Sequence, residues 1–209
     1  MANERQVTMA RKKLKALNEG LVTDVVFLVG ATDATAQEIR AFRSDLVVSS
    51  EFFVSLLDSP LTLKRHGKIR LKNIEPKIFG LVIEFTHLSG QLVSEVDGLD
   101  TCLKLAAAAD EYMIDDLGSV CLKLLEDRFL TVDNVWTVLS ENCMVEAVAS
   151  TCIKILGSKT SVCLNHPSFL EASEEAVKLF FNLDKMNIKS ESELLEACLR
   201  YNKTKENQR

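Results

Sequence analysis

The chain has 209 residues, 47% of them hydrophobic, which is enough apolar material for one substantial core or two small ones. Its net charge of -5 argues against a nucleic-acid binder, because neutralising phosphates takes a basic footprint. No apolar run approaches the roughly 20 residues of a membrane-spanning helix, and Met1 to Gln6 is too polar for a secretory signal, so a cytoplasmic or nuclear protein is expected.

Val7, Ala10, Leu14 and Leu17 recur at intervals of three and four, which predicts an amphipathic helix with one apolar stripe. Arg11, Lys12, Lys13 and Lys15 make its other face basic; a solvated face is the ordinary reading of such a run, a localisation signal the alternative. Asp24 to Val29 is a β-branched run closed by Gly30 and followed by a polar loop from Ala31 to Glu38. Ile39 and Ala41 then alternate with Arg40 as a returning strand would. Leu46, Ser49, Ser50 and Phe53 recur at helical spacing, so the strand runs directly into a helix that Pro60 ends.

Leu61 to Gly67 is a mixed apolar and basic loop, and Lys68 to Leu71 alternates as a short strand. Pro76 suits the first turn of the next helix, whose buried stripe is Phe79, Val82, Ile83 and Thr86. Asp97 is placed to cap a helix with Cys102, Leu105, Ala106, Ala109, Tyr112 and Met113 on one face. Leu117 to Phe129 follows as another helix. From Thr131 onward only short helical patterns occur: Asn134 to Leu139, Val145 to Leu156, Phe169 with Leu170, and Ala176 to Phe181. The last is Ser190-Glu191-Ser192-Glu193, a capping-box pattern ahead of Leu194, Leu195, Cys198 and Leu199.

No catalytic constellation is legible. The glycines form neither a dinucleotide fingerprint nor a phosphate loop, and there is no Gly-x-Ser-x-Gly elbow. His66, His87 and His166 lack zinc-ligand spacing. Asp115-Asp116 and Glu174-Glu175 sit at helix starts, where negative charge favours the helix dipole. The six cysteines, at 102, 121, 143, 152, 163 and 198, form no C-x-x-C pair and read as reduced core thiols. No catalytic residue, metal or cofactor is therefore expected, and a binding module remains.

The stretch around residues 41–53 resembles the BTB (POZ) family on Ala41, Arg43, Leu46, Ser50 and Phe53, with Phe42 where that family usually has histidine and Asp45 where it has an aliphatic residue. Ile69, Leu71, Ile74, Pro76 and Phe79 continue the resemblance, as do Tyr112 and Leu117. The helical half resembles the BACK domain on Asn134-Val135, Ser168-Phe169-Leu170, Met186-Asn187-Ile188, Glu193 and Ala197. The fold so implied is α+β and mostly helical: a BTB/POZ domain over residues 1–130, a small sheet flanked by helices, then an all-helical and partial BACK domain over 131–209.

The resemblance implies a homodimeric, non-catalytic substrate adaptor of a type-3 cullin ubiquitin ligase, its protein substrate unknown. A non-cullin oligomerisation scaffold or transcriptional co-regulator is the alternative. It puts cullin contacts on Leu56, Leu57, Asp58, Leu61, Leu63 and His87, with Leu63 standing where an acid is usual and His87 where tyrosine is usual. It puts the dimer interface on Val7, Ala10, Leu14, Leu17, Asp24 and Arg43, the last two lining a charged pocket; a local salt bridge between paired strands is the other reading of that pair. The chain stops at Arg209, short of a usual BACK domain and without kelch-like glycine repeats, as expected of a fragment or a short protein.

Overall fold

The computed structural model describes residues 12, 13, 15–17, 19, 20, 23–59, 68–92, 94–183, 185–188 and 190–206. The chain divides into two compact units, Met1–Cys121 and Leu122–Arg209.

In the first unit β1 (Val25–Val29) is central. It pairs antiparallel with β2 (Gln37–Ala41), Phe27 opposite Ile39, and parallel with β3 (Lys68–Leu71), Phe27 opposite Ile69. Val25, Phe27 and Val29 are buried and alternate with half-buried Val26 and Leu28, the period of two that the β-branched run predicts. Gly30 turns the chain into the hairpin loop at φ 136; a Cβ there would meet the Thr35 carbonyl oxygen at 2.9 Å, which is why the run ends on glycine.

The helix predicted after β2 is two helices. α1 (Arg43–Ser49) and α2 (Glu51–Asp58) meet at Ser50, whose backbone is extended. Its hydroxyl accepts the Phe53 amide and donates to the Tyr112 carbonyl, so one serine caps α2 and pins it to a residue 62 positions away. The break aims Leu46, Phe53 and Leu57 into one core.

That core centres on an aromatic cluster. Phe27 and Phe79 stand edge to face at 4.9 Å between centroids, and Tyr112 lies 5.6 Å from Phe53 and 5.9 Å from Phe79. Each such pair adds about 0.5–1.5 kcal/mol to the gain from area burial. α3 (Pro76–His87) runs through the middle, buried from Ile78 to His87 except at Gly80, with its proline in the first turn as predicted. α4 (Leu99–Glu111) starts two residues after Asp97, which is not its N-cap; Gly98 is. The Asp97 carboxylate instead accepts the Thr101 hydroxyl at 2.7 Å and pairs with Lys77, so its negative charge still sits at the helix start. Met113, expected on the buried face of α4, falls one residue past the cap Tyr112 in left-handed backbone and points outward.

α5 (Asp115–Leu124) gives way to one turn of π-helix, Leu125–Phe129, rather than running on as a single helix to Phe129. The second unit is then α6 (Val135–Asn142), α7 (Glu146–Ser158), α8 (Thr160–Asn165), α9 (Ser168–Glu171), α10 (Glu174–Phe181) and α11 (Glu191–Glu206). Trp136 is its fully buried centre, 5.1 Å from Phe169 and 5.2 Å from Phe180, and its indole N–H donates to the Cys163 carbonyl at 3.0 Å. Ser173 caps α10 with a hydroxyl that accepts the Ala176 amide. Glu193 of the predicted capping box reaches the neighbouring α8, accepting the Ser161 hydroxyl at 2.8 Å.

Candidate protein-interaction surface

Val7, Ala10, Leu14, Leu61 and Leu63 lie outside the described residues. Leu17, the last member of the terminal stripe, is buried within its own chain.

Asp24 and Arg43 meet, but not as a pair of side chains. The Asp24 carboxylate accepts the backbone N–H of Arg43 at 2.7 Å, which fixes the first turn of α1 against the start of β1. The Arg43 guanidinium reaches along α2 instead, donating to the Leu57 carbonyl at 3.3 Å and pairing with the Asp58 carboxylate. Arg43 is therefore a clasp between the start of α1 and the end of α2. The strand-to-strand salt bridge considered for it is not made, because the guanidinium is turned to Leu57 and Asp58.

Two of the residues proposed to face a cullin are interior. Leu57 is 2% exposed and belongs to the core, since α2 turns its Phe53–Leu57 stripe inward. His87 is 3% exposed. Its Nε2 accepts the Phe42 amide at 2.8 Å, its Nδ1 lies 3.0 Å from the Thr86 hydroxyl, and that hydroxyl donates to the Ile83 carbonyl. An accepting Nε2 makes Nδ1–H the donor to Thr86 in neutral imidazole. Burial pushes the His87 pKa below its ordinary value, with Asp45 pulling the other way. This histidine is a buried splint between the end of α3 and the junction of β2 with α1. Leu56 is half-buried and Asp58 exposed, so part of the predicted set does reach the surface.

Val54, also in α2, is 38% exposed, but the most exposed large apolar side chains described in the first unit lie elsewhere. Val48 in α1 is 87% exposed and Met113 is 61% exposed, and both line one cleft of about 440 Å³. Ser49, Thr86 and Ser89 line its walls, and Asp115 and Asp116, in the first turn of α5, supply its charge; among the described residues no lysine or arginine lines it. The last turn of α3 borders the same cleft, adding the negative end of a helix dipole. Two exposed apolar anchors around an acid-rimmed hollow are suited to gripping a partner's apolar side chain flanked by basic ones. Val48 was detectable as a β-branched residue off the Leu46–Ser49–Phe53 stripe; Met113 was not, because its outward turn depends on where α4 ends.

The second unit assembles a constellation that the spacing of its residues did not suggest. Ser168 Oγ lies 2.7 Å from His166 Nδ1, and His166 Nε2 lies 3.0 Å from an Asp133 carboxylate oxygen. Serine, imidazole and carboxylate are thus in series, as in a hydrolytic triad. The Ser168 amide also donates to Nδ1, at 3.3 Å, and Ser168 itself is buried at the first position of the four-residue helix α9. Imidazole here holds a helix start together. Among the described residues, no three His, Cys, Asp or Glu side chains gather as a metal site.

Comparison with known proteins gives the following. The BTB/POZ domain family model matches residues 14–128. BTB/POZ domain-containing protein 6 of Mus musculus is 25% identical over 196 residues, covering 93% of this chain and 35% of that protein. BTB/POZ domain-containing protein 3 of Homo sapiens is 24% identical over 197 residues, with 93% and 36% covered. The solved BTB domain of zebrafish PATZ1 is 19% identical, covers 59% of this chain and 93% of its own, and superposes with a TM-score of 0.43. The chain spans about a third of the length of the curated relatives it matches.

Proposed function

Since the chain belongs to the BTB/POZ family, whose domains are protein-interaction and oligomerisation modules, we propose that it is a homodimeric adaptor acting in the cytoplasm or nucleus. In this reading the first unit docks a type-3 cullin, the helical second unit is of BACK type, and the ubiquitination substrate is held elsewhere. The observation that carries it is the cleft flanked by Val48 and Met113. We place the cullin contact there, with Leu56 and Asp58 as further surface, and remove Leu57 and His87 from the contact set because both are interior. A few well-seated apolar anchors commonly supply most of an interface's energy, and each costs about 2 kcal/mol or more when lost.

Calorimetry of the chain with a type-3 cullin amino-terminal domain tests the proposal. The unmodified chain should bind at micromolar concentration, and Val48→Asp combined with Met113→Asp should weaken binding at least about thirtyfold with no change in melting temperature. Light scattering on the same samples should give a dimer, and Leu14→Asp a loss of that dimer. No binding at tens of micromolar by a folded, dimeric chain would leave the second reading, a scaffold that oligomerises without cullin. The burial of Leu57 and His87 favours that alternative, because it removes two of the contacts that the family resemblance implied.

A further inference from the structure

α11 buries one face and carries a second apolar stripe on the other. Ala197 and Tyr201 are buried within the second unit, with Leu194 and Thr204 half-buried on the same side. On the opposite side Leu195 is 62% exposed and Leu199, one turn on, 61%. Ser192, Leu195, Leu199, Asn202 and Glu206 follow the three-and-four spacing of a helix-pairing seam, and all of them are exposed. A groove of about 380 Å³ between α10 and α11 borders this stripe at Cys198 and Asn202 and is lined also by Val177 and Phe181, which widens the apolar surface.

The charges beside the seam are divided along the helix. Glu191, Glu193 and Glu196 lie in its first half, Arg200, Lys203 and Lys205 in its second. Glu193 is turned to Ser161 and Arg200 to Asn165, but among the described residues Glu191, Glu196, Lys203 and Lys205 form no ion pair. Glu191 and Lys205 are close to four turns apart and therefore lie on the same side of the seam.

We propose that this outer face of α11 is a self-association site, pairing antiparallel with α11 of a second copy of the chain. About a two-fold axis at the level of Ala197, Leu195 of each copy packs on Leu199 of the other, and Glu191 of each comes alongside the other's Lys205. A parallel pairing would set the acidic halves together and the basic halves together. Antiparallel pairing opposes unlike charges and aligns the two helix dipoles favourably, so the surface that best complements this stripe is the stripe itself, reversed. Two leucines from each copy make a small contact, and the pairing is accordingly weak and weakened further by salt. It is a second self-contact, separate from the dimer assigned to the first unit.

The test uses the full chain at roughly 100 micromolar in low salt, cross-linked with a short bismaleimide and digested with trypsin. Cleavage at Lys189 and Arg200 leaves the part-exposed Cys198 on the peptide 190–200, and that peptide joined to itself can come only from two chains. The unmodified chain should yield the self-linked peptide, and Leu195→Gln with Leu199→Gln should lower its yield at least about tenfold while Trp136 fluorescence stays unchanged. Glu191→Lys and Lys205→Glu should each lose the product alone, and an equal mixture of the two should recover it, because each variant supplies the charge that the other lacks. A folding defect would not be cured by mixing; if either charge variant loses the Trp136 signal, the leucine variant decides alone. No self-linked peptide from the unmodified chain, an undiminished yield from the leucine variant, or a mixture of folded charge variants that stays unlinked overturns the proposal.

Discussion

Each unit is built around a cluster of aromatic side chains, and the two differ in what is buried beside them. In the first, Phe27, Phe53, Phe79 and Tyr112 share a core with a histidine and a glutamate: His87 splinting Phe42, and Glu84 accepting the Ser94 amide at 2.7 Å. In the second, Trp136, Phe169, Phe180 and Tyr201 are joined through neutral donors, the Trp136 N–H to Cys163 and the Tyr201 hydroxyl to Ala172 at 2.8 Å. Apolar packing sets the size of both cores. His87 adds to the first a buried group whose hydrogen-bonding capacity changes with its proton.

The largest effect comes from removing the aromatic centres. Phe53→Ala and Trp136→Ala should each cost about 3–5 kcal/mol, the range for emptying a packed aromatic site. Trp136 is the chain's sole tryptophan, so its fluorescence reports the second unit, and amide exchange at Phe27 reports the first. If the units are energetically separate, Phe53→Ala should accelerate exchange at Phe27 and leave the Trp136 transition in place. A Trp136 transition that falls by the same amount would merge the two into one cooperative body.

A smaller effect distinguishes the polar ties. Ser50→Ala removes both the cap on α2 and the bond to the Tyr112 carbonyl, and should cost about 1–2 kcal/mol. Tyr201→Phe leaves the Ala172 carbonyl without its donor and should cost about 1 kcal/mol. Denaturant melts of the two variants check the order; a neutral Ser50→Ala would mean that the α1–α2 break is held by packing rather than by its serine.

The smallest effect is the pH response of His87 in the first unit. Folding lowers the His87 pKa from its ordinary value of 6.5, so the folded unit holds fewer protons there than the unfolded chain. The contribution of neutral His87 is complete above about pH 6.5 and drains away as pH falls through the lowered folded value. The protection factor of the Phe42 amide, its exchange rate corrected for the intrinsic slowing in acid, should therefore fall on acidification within that window, and His87→Gln should flatten the response. A pH-independent protection factor at Phe42 in the unmodified chain would refute this.

Much of the architecture is written locally. The alternating Val25 to Val29 run, the Gly30 turn, the return through Ile39 and Ala41, the proline start of α3 and the order of helices after Thr131 all rest on periodicity and turn chemistry within a few residues. The inward face of α2 was equally legible, since Phe53 and Leu57 are spaced by one turn. What the sequence by itself could not decide depends on partners far away in the chain. Ser50 breaks a helix because the Tyr112 carbonyl waits for its hydroxyl, and His87 turns inward because the Phe42 amide needs an acceptor across 45 positions. Likewise Cys102 meets Cys121 only after α4 and α5 have packed, and Asp133 reaches His166 only within the folded second unit. A buried donor or acceptor must be paired at a cost of about 1–3 kcal/mol if it is not, and that demand is settled by tertiary packing, which a residue's own neighbours in sequence do not determine.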